Sequence, residues 1–170
     1  MELQAYHTVL DAPVGPLTLA ATDQALQSVW FGPPTDHGAP ARHLPRHDAH
    51  PILRAATAQL REYFDRARRV FDLPLAPDGT PFQLQCWRAL QDIPFGETRT
   101  YQQQALAVGD INKTRAVGAA NGANPIGIII PCHRVLGKDG ALVGFGGGLH
   151  AKAWLLRFER EQVSPQLSLL

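Results

Sequence analysis

The sequence predicts an α+β protein of two small units: an N-terminal antiparallel sheet covered by a helix, then a mostly helical unit with a helix-turn-helix and a short strand. Three observations carry this. Short β-prone runs separated by turn residues fill the first thirty positions, apolar residues recur at helical spacing over 52–69, and two short helical runs flank a glycine-containing turn after position 100. At 170 residues the chain is long enough for two cores of this size.

In the first unit, expected over residues 1–77, His7-Thr8-Val9-Leu10, Leu17-Thr18-Leu19-Ala20 and the run from Leu26 to Phe31 read as strands. Pro, Gly and Asp between them supply the turns. Residues 32–51 are rich in Pro, Gly, Ala and His and lack any period, so a surface loop is expected. His43, His47 and His50 there have no ordered element to fix a metal geometry, and no metal is assigned. Ile52, Leu53, Ala56, Leu60, Tyr63 and Phe64 then share one face of a helix that covers the sheet. Val70-Phe71-Asp72-Leu73 is a candidate further strand, and 74–79 reads as a linker.

The second unit, expected over 78–162 with a tail at 163–170, opens at Thr80-Pro81, a helix cap followed by proline in the first turn. Phe82, Cys86, Ala89, Leu90 and Ile93 share a face, so Cys86 reads as buried apolar filler. The run from Thr100 to Val108 and a second from Lys113 to about Asn121 form the helix-turn-helix. Arg115-Ala116-Val117-Gly118-Ala119-Ala120 is short of bulk beyond one arginine, and Gly118 costs a helix about 1 kcal/mol relative to alanine. Close approach of another backbone accounts for it, either a neighbouring helix or nucleic acid.

Composition excludes some classes. No window is apolar over the length a bilayer requires, the first residues show no basic-then-apolar leader, and two cysteines make no disulfide framework, so a cytoplasmic chain is expected. Net charge is only +1, but residues 97–160 carry eight Lys and Arg against four Asp and Glu, and 111–138 carry Lys113, Arg115, Arg134 and Lys138 with no acidic residue. A basic face of this kind suits a polyanion or is simply solvated.

The chemistry concentrates in Pro131-Cys132-His133-Arg134-Val135, behind the apolar run Ile126 to Ile130, which is expected to be a short buried strand ending at Cys132. A thiol is mostly protonated at neutral pH, and cationic or hydrogen-bonding neighbours convert it to a nucleophile. On an extended strand Cys132 and His133 point to opposite faces, so either the chain turns here or the two communicate through a water. An inert buried cysteine is the competing reading.

That motif, with Arg115-Ala116-Val117-Gly118 and Asn124-Pro125 before it and Gly147-Gly148-Leu149 and Lys152-Ala153-Trp154-Leu155-Leu156 after it, resembles the O6-alkylguanine-DNA alkyltransferase family from about Thr80 to Glu159. The resemblance implies direct DNA repair: transfer of the alkyl group of O6-alkylguanine, and of O4-alkylthymine as a further candidate, to Cys132, once per protein molecule and after base flipping. It places the water-relayed base on His133, the carboxylate orienting that base on Glu159, a hinge on Asn124 and a phenol donor to the lesion base on Tyr101. Thr100, Lys113, Arg115, Gly118 and Ala119 become DNA contacts, with Arg115 entering the stack; Val135, Phe145, Gly146 and Gly147 line the substrate pocket. The implied partner is double-stranded DNA carrying O6-alkylguanine, with no cofactor, no metal and no obligate protein partner; a monomer is expected. Phe145 and Gly146 depart from the tyrosine and small polar residue or alanine of many relatives, and Arg134 has no assigned part. Two other readings stay open: a module that binds the lesion without transfer, and a cysteine hydrolase using His7, His50 or His150.

Overall fold

The structure, a computed structural model, describes residues 3–164; the expected tail lies outside the described residues from position 165 onward. The chain divides into two compact units, Met1–Asp78 and Gly79–Leu170.

The first unit is a three-stranded antiparallel sheet in the order β1 (Ala5–Ala12), β2 (Gly15–Thr22), β3 (Leu26–Phe31), packed against α1 (Pro51–Phe64). Residues 17–22 of the central strand are all buried, as expected of a strand covered on both faces rather than one. α1 turns Leu53, Ala56, Leu60 and Tyr63 inward.

One expectation gains a detail and one changes. The 32–51 segment is the irregular, largely exposed stretch expected, but it is tied to β1: His7 donates its amide to the Pro45 carbonyl (3.0 Å) and accepts from the His47 amide (2.9 Å), and Ala39 and Ala41 are buried. The unpaired edge of β1 supplies those hydrogen-bonding groups, which composition alone does not disclose. Val70 to Leu73 form no strand. Val70 is 76% exposed, and the edge of β3 is taken instead by Leu75, with Leu26 donating to Pro74 and accepting from Ala76.

The second unit is built on α2 (Pro81–Gln91), α3 (Tyr101–Ala107), α4 (Thr114–Gly122) and α5 (Leu149–Val163). Capping boxes start two of them: Thr80 and Gln83 for α2, Thr100 and Gln103 for α3. The pairing of α3 with α4 rests on polar contacts as well as apolar ones. Gln104 and Asn121 exchange amide hydrogen bonds at 2.9 and 2.7 Å, and Gln104 also donates to the Cys86 carbonyl. Cys86 is fully buried, and Trp87 donates to the Ala120 carbonyl at 2.8 Å.

The expected strand at 126–130 is replaced by a compact turn. Asn124 is the reason: its side-chain carbonyl accepts from the Ile126 amide (3.0 Å) while its Nδ2 donates to the Ile130 carbonyl (2.8 Å), folding the segment back on itself. Ile128 takes a φ of 68°, a left-handed conformation costly for a β-branched residue, and is held there with its side chain buried. A fully apolar run reads alike in a strand and in a buried turn, so periodicity does not separate them. The short strand that does form follows the cysteine. β4 (Arg99–Thr100) pairs in parallel with β5 (Val135–Leu136).

Candidate active site

Cys132 opens a single 3-10 turn, Cys132–Arg134, capped by Val135, whose amide donates to the Cys132 carbonyl. The turn answers the adjacency problem: consecutive side chains need not oppose each other as on a strand. All three residues are buried, with Cys132 8% exposed and His133 at 0%.

The second half of the cluster comes from α5, where Ala151, Lys152, Leu155, Phe158 and Glu159 lie on the buried face. Glu159 is 1% exposed and accepts from His133 Nε2 at 2.7 Å, Arg134 Nε at 2.8 Å, Arg134 Nη2 at 3.0 Å and the Gly96 amide at 3.2 Å. Arg134 completes its set on the Ile93 carbonyl at 2.8 Å. Burial raises the carboxyl of Glu159, but His133 and Arg134 outweigh it and hold that carboxyl well below the usual range.

Charge state then fixes tautomer. Burial drives the His133 pKa down more strongly than Glu159 raises it, leaving a neutral imidazole. An ionised carboxylate only accepts, so Nε2 carries the proton and Nδ1 keeps a lone pair. Nδ1 is buried and, among the described residues, has no hydrogen-bond partner. An imidazole held in this way can accept a proton at Nδ1.

Burial pushes the Cys132 thiol above its ordinary value, with Asn124 and the charge of Lys152 pulling the other way. A thiol so held is protonated at rest and needs a base to react. Lys152 is fully buried, and Nζ donates to the carbonyls of Val143 (2.9 Å) and Gly144 (3.4 Å). The Val143 carbonyl also accepts from the Tyr101 hydroxyl at 3.1 Å, so Lys152 and Tyr101 meet on one acceptor beside Phe145, Gly146 and Gly147. Burial holds the Tyr101 phenol above 10.0 and therefore in its donor form.

The remaining predicted residues lie on or beside α3 and α4. Thr100 caps α3; Lys113 is exposed, with Nζ 5.2 Å from the centre of the Phe82 ring; Arg115 and Ala119 are exposed on α4. A Cβ added at Gly118 meets only the Tyr101 ring, at 3.8 Å, which is ordinary contact. Packing within this chain thus does not demand glycine there. Val135 is fully buried and Gly146 is exposed, with nothing within 4 Å of an added Cβ. His7 bonds to the Leu44 carbonyl and His50 to Asp23, both within the first unit.

Sequence reading missed Lys152 and the part played by Arg134. A signal existed: Lys152 and Glu159 fall on the same face as Leu155 at i, i+3 and i+7, which marks two charges on a buried stripe.

A buried cysteine on a tight turn, followed in sequence by a neutral histidine bonded to a multiply bonded carboxylate and set in a unit with a two-helix hairpin, defines a cysteine-centred site on an α+β scaffold. Comparison with known proteins narrows the class. Residues 5–77 match the family model described as 6-O-methylguanine DNA methyltransferase, ribonuclease-like domain, and residues 81–161 match the DNA binding domain of the same name. A methylated-DNA–protein-cysteine methyltransferase of Methanosarcina barkeri is 42% identical over 160 residues, covering 93% of this chain and 99% of the relative. The crystal structure of the Mycobacterium tuberculosis O6-methylguanine methyltransferase superposes with a TM-score of 0.85 at 40% identity over 98% of this chain and 99% of that one. The M. tuberculosis OGT in complex with DNA gives 0.83 at 40% identity, over 92% and 94%. The chain belongs to the 6-O-methylguanine DNA methyltransferase family.

Proposed function

We propose that this protein repairs DNA directly by moving the alkyl group of O6-alkylguanine onto Cys132, with His133 as base through one bridging water. The observation that carries it is the bond from His133 Nε2 to Glu159, which leaves Nδ1 as a buried, unprotonated acceptor. The Cys132 thiol gives its proton to the water as the water gives one to Nδ1. The sulfur then forms a bond to the alkyl carbon while the carbon–O6 bond breaks and its electron pair passes to the purine. Tyr101 supplies the proton that makes the purine a better leaving group. The thioether product has no good leaving group, so each molecule acts once.

An O6-alkyl group inside a duplex is out of reach of an in-line sulfur, and the nucleotide has to leave the stack. Arg115 fills the gap it leaves. Gly118 and Ala119 let α4 lie close to the duplex, a role favoured by the ordinary 3.8 Å contact that a Cβ at Gly118 would make within the chain, which does not itself call for glycine, and Thr100 and Lys113 contact the phosphates. Asn124 ties α4 to the turn of Cys132 through its two backbone hydrogen bonds. Val135, Phe145, Gly146 and Gly147 bound the pocket. Open space at Gly146 makes it roomy enough for groups larger than methyl; equal rates on a bulky O6-alkyl substrate for the wild type and Gly146→Ser would remove that reading. The protein works as a cytoplasmic monomer on double-stranded DNA without an obligate protein partner; among the described residues no helix is long and apolar enough to cross a membrane.

Titrating an O6-methylguanine oligonucleotide with the protein tests the reaction. Lesion loss should plateau at one per protein molecule, and repeated turnover contradicts the proposal. Tight lesion binding with no lesion loss would favour a recognition module instead.

A further inference from the structure

The N-terminal unit holds a groove of about 810 Å³ between β1 and α1, whose polar lining is Thr8, Arg46, Asp48, Arg54, Thr57 and Arg61, with alanines between. Residues 1–78 carry seven Arg and no Lys against nine Asp and Glu, yet three of those arginines line this groove with one acidic residue. The charge of the unit is thus segregated against its own composition.

The groove is also ordered for an outside ligand. Asp48 Oδ1 accepts from Thr8 Oγ1 at 2.7 Å and from Arg46 Nε at 2.8 Å, which fixes Arg46 by one edge and leaves its terminal nitrogens unused among the described residues. Both threonine hydroxyls donate inward, Thr57 to the Leu53 and Arg54 carbonyls. Among the described residues, neither the Arg54 nor the Arg61 guanidinium has a hydrogen bond or ion pair, and both are exposed. Separated by seven residues on α1, they share a face about 10 Å apart along the helix. One phosphate cannot bridge that span, whereas about 10 Å is the rise of three nucleotides at about 3.4 Å each.

We propose that this groove binds the phosphodiester backbone of a nucleic-acid strand through Arg46, Arg54 and Arg61, in the unit that does not hold Cys132. Guanidinium forks suit phosphate oxygens, and a backbone contact of this kind positions a protein on nucleic acid without reading sequence.

The test uses the full chain and an undamaged duplex, with binding followed by fluorescence anisotropy across salt concentrations. R54A/R61A should reduce the slope of log K against log salt by about 1.8, and the triple variant with R46A by about 2.7, at about 0.9 per phosphate contact. R54Q/R61Q keeps the side-chain stems and gives the same reading should the alanine pair fold poorly. Slopes unchanged from wild type overturn the proposal. So does a loss of binding to inorganic phosphate or to polyglutamate in the variants while the DNA slope stays put, which would assign the groove to a free anion or an acidic protein. The methyl-transfer rate at saturating DNA should be unaffected. Because Cys132→Ser retains the groove, failure of the proposed reaction and failure of this proposal are separately visible.

Discussion

Arg134 grips Glu159 at two points, Nε to Oε1 at 2.8 Å and Nη2 to Oε2 at 3.0 Å, inside the second unit. The residue with no assigned part in the sequence is the one that sets the carboxylate plane for His133. Removing one partner of a buried pair strands the other charge, so Arg134→Ala should cost about 3–5 kcal/mol in urea unfolding. Arg134→Lys, which keeps the charge and loses the fork, should cost less. An alanine variant within about 0.5 kcal/mol of wild type, the usual span of surface changes, contradicts this account.

Loss of the base should be visible against pH. His133→Gln is expected to slow transfer at neutral pH by about 10²–10⁴. Burial holds the Cys132 thiol above 9.0, so in the variant thiolate must come from solution and the rate should climb steeply as pH rises toward that range. A variant rate independent of pH would remove His133 from the reaction.

Stability should also fall in acid, with a defined sign. The folded pKa of His133 lies below 6.5, so beneath that pH the unfolded chain takes a proton that the folded one refuses, and stability declines. Glu159, held low in the fold, adds a second loss of the same sign as pH falls below 4.5, where the unfolded carboxyl protonates first. Urea midpoints between pH 7 and 5 should therefore fall less for His133→Gln than for wild type. Parallel curves would contradict the assignment.

Lys152 makes its own prediction. Lys152→Met keeps the bulk but removes the hydrogen bonds to Val143 and Gly144 and the positive charge that lowers the Cys132 pKa. The thiol should titrate higher, and transfer at neutral pH should fall by about tenfold for each unit of that rise. Thiolate absorbance of the free protein against pH, compared with wild type, checks it.

Much of this was legible in the residues themselves. Three strands, α1, the Thr80 cap and the α3–α4 hairpin follow from apolar period and cap chemistry, and the cysteine motif left a turn or a bridging water as alternatives. What stayed hidden depends on long-range partners. The backbone edge of β1 captures residues near Arg46, Asn124 folds an apolar run that reads as a strand, and Arg134 meets Glu159 across 25 positions, whereas the Glu159–His133 pair, 26 positions apart, was implied by the family resemblance alone. Local period carries no record of such pairings.

The central claim is that Cys132 is the alkyl acceptor. Incubating the protein with duplex DNA carrying isotopically labelled O6-methylguanine, then weighing its peptides by mass spectrometry, tests this most directly. One labelled methyl on the Cys132 peptide, absent from Cys132→Ser, is the predicted result; unmodified Cys132 after the lesion has been bound, or a methyl that persists in Cys132→Ser, would contradict it.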